Sequence, residues 1–181
     1  MRAFILPGWQ NSGPAHWQSR WEALHGFERV LQSDWQHPLR GDWMMRLEEA
    51  VLERPGPVLL AAHSLGCQLV AAWAEHSAHR QRVAAALLVA PPDTARPDMP
   101  PQLSSWRRIA RTPLPFPALV LYSSDDPFCS AERAQAMAAD WQVPAVCEGT
   151  RGHLNADSGL GDWPEGLSRL RMLAGESPAH E

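Results

Sequence analysis

The chain has 181 residues, 45% hydrophobic and 20% charged, with a formal net charge of −4. This is enough apolar material for one globular core, and no basic cluster beyond Arg107-Arg108 is present to grip a nucleic-acid backbone. The apolar runs, such as residues 83–90, fall far short of the roughly 20 residues needed to cross a bilayer, so neither nucleic acid nor membrane is expected as a partner. Residues 1–8 lack the longer apolar core and cleavage site of a signal peptide. Cys67, Cys129 and Cys147 are odd in number without C-x-x-C spacing, and read as reduced thiols of a cytoplasmic protein. A single domain over residues 1–174 is expected, with a loose tail at 175–181. No cofactor or metal is indicated.

In chain order, residues 3–6 form a short apolar strand stopped by Pro7-Gly8. A helix follows over 16–24, with Trp17, Trp21 and Leu24 at helical spacing. A brief strand is expected at 27–31, and Asp42 is placed to cap a helix reaching Glu53. Residues 58–62 are apolar throughout, as in a strand buried on both faces, and lead to a helix over 68–76. The apolar strand 83–90 stops at Pro91-Pro92. Residues 91–117 are proline-rich, a loop with one short helix near Trp106. A strand at 118–122, a helix at 131–141, a last strand at 145–147 and a helix at 164–173 complete the series. Trp9, Trp17, Trp21, Trp35 and Trp43 crowd the first quarter, as core, pocket lining or a partner-binding surface.

This alternation implies an α/β protein, with helices covering both faces of a parallel sheet. Ligands in such sheets bind at the C-terminal ends of the strands. The chemistry is therefore sought in residues 7–13, at Ser64, and in the loops after Ala90, Tyr122 and Cys147.

Ser64 stands between an apolar strand and a helix, with Ala62 two residues before it and Gly66 two after. Strand, sharp serine-bearing turn and helix are the layout of a nucleophile elbow, although its first glycine is here alanine. An ordinary helix cap is the competing reading. The loop after Tyr122 carries Asp125 and Asp126, and the loop after Cys147 carries His153. Serine, acid and histidine at successive strand ends make an activated nucleophile. His153 would take the Ser64 proton, and an aspartate would hold its other nitrogen. The second aspartate would be a turn residue accepting backbone N–H groups.

An oxyanion hole requires two N–H donors. Leu65, next to the serine, supplies one, and Trp9, in the glycine-bearing loop after the first strand, supplies the other. His63 is read as a hydrogen-bonding or packing neighbour, and counts with Gln10 and Asn11 among the candidate substrate contacts. Asn155, Asp157 and Ser158 are expected to brace the His153 loop. His16 reads as a helix-start residue near the substrate. His76 and His79 lack an acidic partner pattern for a metal.

The stretches LPGWQNSG, AHSLGC, YSSDDPF and GHLNADSGLGDW resemble small α/β-hydrolases of the retinoblastoma-binding protein nine type. That resemblance implies a three-layer fold of about six mostly parallel strands without a large lid domain. It also implies a Ser64–His153–Asp126 triad, with Asp126 favoured over Asp125 by its following proline, and serine-hydrolase action on small esters or amides. The expected partner is a small acyl substrate; a non-catalytic binding module on the same fold is the alternative.

Overall fold

The computed structural model describes residues 1–176. All but the first two residues of the expected tail therefore lie outside the described residues. Six strands form one sheet in the order β2-β1-β3-β4-β5-β6: β1 (Arg2–Leu6), β2 (Glu28–Arg29), β3 (Val58–His63), β4 (Val83–Val89), β5 (Ala118–Tyr122) and β6 (Ala145–Cys147). Every pairing is parallel, so the expected mostly parallel sheet is wholly so. Among the described residues the α-helices are α1 (Trp17–His25), α2 (Arg40–Leu52), α3 (Leu65–His76), α4 (Ala131–Asp140) and α5 (Pro164–Leu173). This is the α/β-hydrolase fold, and residues 1–176 hold no large extra domain.

Side chains alternate across each strand, which divides the core in two. Phe4, Leu6, Leu60 and Ala62 face a layer containing Trp43, Leu47, Leu69, Trp73 and Met137. Ile5, Leu59, Ala61 and Leu87 face Trp17, Trp21, Trp163 and Leu170. Helices α2, α3 and α4 thus cover one face and α1 and α5 the other. The tryptophans supply core volume: Trp17 packs edge-on to Trp21 and Trp163 at 4.7 and 5.1 Å, pairs worth about 0.5–1.5 kcal/mol beyond their buried area. With Trp17, Trp21 and Trp43 at most 1% exposed, they form core and not a partner-binding surface.

The boundaries of α2 and β2 differ from expectation. Asp42 does not cap α2; the helix starts at Arg40, whose N–H donates to the Ser105 hydroxyl across the fold. Asp42 lies in the first turn, where a carboxylate complements the helix dipole. The strand expected over 27–31 pairs only at Glu28 and Arg29, opposite Phe4 and Ile5 of the five-residue β1, and Leu31 is already in solvent. His79 does have an acidic partner. Glu48 of α2 accepts from Trp73 Nε1 and Ser77 Oγ and pairs with His79 Nδ1 at 2.7 Å, locking α2 to α3.

The chain winds outward from β1 to β2, then returns to lay β3 on the other side of β1. The strand order reverses there, opening a crevice above the C-terminal ends of β1 and β3.

Candidate active site

Ser64 sits at that crevice with φ 54° and ψ −124°, a left-handed backbone that costs about 1–3 kcal/mol and persists only where packing imposes it. Its N–H donates to Val89 O at 2.9 Å, and α3 begins at the next residue, not at Gln68 as expected. Tight packing leaves no linker: a Cβ on Gly66 would lie 2.1 Å from Leu6 O, and one on Gly8 2.7 Å from Ser64 Cβ. Both positions therefore require glycine. Ala62, by contrast, lies within regular β3 and accommodates its methyl in the core.

Ser64 Oγ is 2.8 Å from His153 Nε2. His153 Nδ1 lies 3.0 and 2.9 Å from the two Asp126 oxygens. The His153 and Asp126 side chains are only 10% and 2% exposed, so the line from hydroxyl to carboxylate is largely shielded from water. Such a line lets an imidazole accept a hydroxyl proton at one nitrogen while the other stays protonated toward the acid. Asp126 also accepts the Phe128 N–H at 2.9 Å. Asp125 has the other job, accepting the Gly152 N–H at 2.8 Å and so tying the β5 loop to the histidine loop.

Further anchors fix that loop. His63 Nε2 lies 2.8 Å from His153 O and donates to it. Trp17 Nε1 donates to Leu154 O at 3.0 Å. Asn155 and Ser158 form a capping box, and the Ser158 hydroxyl donates to Arg151 O. Both therefore brace the loop as expected, whereas Asp157 contributes only its backbone N–H to Asn155 Oδ1.

A cavity of about 400 Å³ opens over Ser64, within the usual size for small-molecule sites. Gln10, Asn11, His63, Leu65 and Trp9 all line it. Gln10 and Asn11, both with φ 66°, form its exposed rim. The Asn11 side-chain oxygen, Oδ1, already accepts from Arg29 Nη1 and the Ser12 N–H. Neither the Trp9 nor the Leu65 backbone N–H is used in a backbone hydrogen bond among the described residues, and a Gly8 Cβ would stand 3.2 Å from Leu65 N. The opposite wall is apolar, from Met99, Pro100, Leu103 and Phe128.

Sequence reasoning missed Gln18. Its buried amide donates to Leu6 O and Ala61 O at 3.1 and 2.9 Å, and its oxygen accepts the Ser12 hydroxyl at 2.8 Å. One side chain thereby joins β1, β3 and the Trp9 loop. A glutamine beside Trp17 in a helix carries no signal that distinguishes it from a solvent-facing residue.

His16 caps α1, its Nδ1 accepting the Gln18 N–H at 3.1 Å. Burial, then the charges of Arg29 and His153, lower its pKa to about 4. Burial likewise pushes His63 well below the ordinary value, with His153 and His16 adding to it. Both are thus buried neutral, and the unfolded chain binds the extra protons in acid. The stability they confer is complete above the ordinary value of 6.5 and is lost as pH falls from there toward about 4. The thermal midpoint should drop across this window. His16→Asn, which retains a capping acceptor, should flatten the slope; an unchanged slope would refute the assignment.

Residues 3–172 match the family model described as serine hydrolase. No curated protein matches the chain by sequence. Among solved structures, a YdeN-like hydrolase of Pectobacterium atrosepticum is 30% identical with a TM-score of 0.84, over 96% of this chain and 90% of that one. The ydeN gene product of B. subtilis is 18% identical with a TM-score of 0.72, over 97% and 99%. A monoacylglycerol lipase of Paleococcus ferrophilus is 12% identical with a TM-score of 0.71, over 97% and 95%. The last two likenesses are of fold alone.

Proposed function

The chain belongs to the serine hydrolase family, and from that membership we propose that it cleaves small carboxylic esters through an acyl-Ser64 intermediate. The observation that carries this reading is the unbroken line from Ser64 Oγ through His153 to Asp126, at 2.8 and 2.9 Å. The Asp125-Asp126-Pro127-Phe128 and Gly152-His153-Leu154-Asn155 stretches support placing it among the hydrolases of the retinoblastoma-binding protein nine type. Its free cysteines support a cytoplasmic location.

Ser64 Oγ attacks the ester carbonyl carbon as its proton passes to His153 Nε2. The oxygen that becomes negative is received by the Trp9 and Leu65 N–H groups, the second at the positive end of α3. The carbon–alkoxy bond then breaks, and the departing oxygen takes the proton from His153. Water repeats the sequence on the acyl-serine, releasing the acid and restoring Ser64. The shielded Asp126 carboxylate holds the imidazole in the required tautomer and stabilises its cation.

The apolar wall of Met99, Pro100 and Leu103, in a cavity of about 400 Å³, favours a short apolar acyl group. With a nitrophenyl ester series, kcat/KM should peak at short chains and fall at least about tenfold once the acyl group outgrows the cavity. A fluorophosphonate probe should attach to Ser64, as mapped by peptide mass spectrometry. A label on another residue, or a rate indifferent to chain length, would refute the corresponding part of the reading.

A further inference from the structure

Beyond His153 lies a second, wider depression of about 920 Å³. It shares Phe128, His153 and Asn155 with the cavity over Ser64, so the two meet across the imidazole. Phe128, 47% exposed, stands edge-on to the His153 ring at 4.6 Å and 65°, forming a step between them. Their chemistry differs. Met99, Pro100 and Leu103 line only the inner cavity, while Glu148, Thr150, Arg151 and Asp157 line only the outer depression.

This inference rests on the proposed ester hydrolysis, which fixes which half of a substrate faces which wall. The acyl carbon is bonded to Ser64 Oγ. The alkoxy oxygen must come within hydrogen-bond reach of His153 Nε2 to receive its proton, so the alcohol passes over the imidazole. The acyl group then lies on the inner apolar wall and the alcohol on the outer polar shelf.

The charges of the shelf narrow the alcohol further. Glu148 is already paired with Arg169. Arg151 and Asp157 make no ion pair among the described residues, and both are exposed. An anionic alcohol would face the Asp157 carboxylate, and a cationic one the Arg151 guanidinium. A neutral polyhydroxylated alcohol suits both, since each hydroxyl donates to a carboxylate and accepts from a guanidinium. We infer that the enzyme acts on short-chain acyl esters of polyhydroxylated alcohols, the polyol seated on the shelf formed by Thr150, Arg151 and Asp157.

The test holds the acyl group constant, comparing glyceryl butyrate with methyl butyrate in the full-length enzyme. Two hydrogen bonds to the polyol give wild type a kcat/KM ratio of about ten or more in favour of the glyceryl ester. In the Arg151→Ala/Asp157→Ala double variant that ratio should fall to within about twofold. The rate of fluorophosphonate labelling at Ser64 confirms that the histidine loop of the variant is intact. A ratio near one in an active wild-type enzyme, or a ratio the double variant leaves unchanged, overturns the shelf alone. Turnover of neither ester overturns the ester-hydrolase reading together with it.

Discussion

Replacing Ser64 by alanine is expected to abolish fluorophosphonate labelling and lower kcat/KM for a nitrophenyl ester by about 10⁴–10⁶-fold. The substitution removes one oxygen and little else. Alanine retains the Cβ that packs against Gly8, and as an L-residue it meets the same backbone strain at φ 54° as serine, so folding should be nearly unchanged. Neither buried cysteine is available to stand in. Burial raises the Cys67 thiol well above its ordinary value, and its sulfur is directed at Val89 O. Burial and the nearby Asp126 and Asp93 charges push Cys129 up to about 12, leaving it protonated at neutral pH. The residual rate should therefore be only what the Trp9 and Leu65 N–H groups and substrate positioning give to attack by water. Labelling retained in the variant, or a rate within about tenfold of wild type, would remove Ser64 from the chemistry.

The elbow was legible in the sequence because its constraints are local. Residues 58–62 are apolar on both faces of the strand, and small residues stand two before and two after the serine. That α3 starts at Leu65 without a linker was not legible, since the helix is expected only from residue 68. The structure separates the two small positions. Gly66 is fixed by the Leu6 carbonyl on a neighbouring strand, while Ala62 lies in ordinary strand backbone. The strand–helix alternation places the Asp125-Asp126 pair and His153 at the C-terminal ends of successive strands, but it does not separate the two aspartates; only the family resemblance favours Asp126. Features that depend on distant partners were not legible. The start of α2 is set by Ser105, the environment of His79 by Glu48, and the role of Gln18 by two strand carbonyls and Ser12. None of these follows from spacing along the chain.

His153→Ala should remove turnover nearly as completely as Ser64→Ala, by about 10⁴–10⁶-fold, with the fold intact. The loop does not depend on the imidazole to hold its place. His63 holds the carbonyl of residue 153, Trp17 holds that of Leu154, and Asp125 holds the Gly152 N–H. Asp126→Asn is the sharper probe of the acid. The asparagine oxygen can keep the Phe128 N–H that Asp126 now accepts, which turns the new NH₂ group toward His153 Nδ1. That nitrogen must then accept, placing the imidazole proton on Nε2, where it can no longer take the Ser64 proton. The loss should be about 10⁴-fold, milder than His153→Ala but measurable in kcat/KM with the same ester. Asp125→Asn keeps a carbonyl oxygen for the Gly152 N–H and touches neither imidazole nitrogen, so its loss should stay within about tenfold. If Asp125→Asn proved the more damaging of the two, the acid would have to be reassigned to Asp125, and the 2.9 Å contact between His153 Nδ1 and Asp126 would not be the one that orients the base.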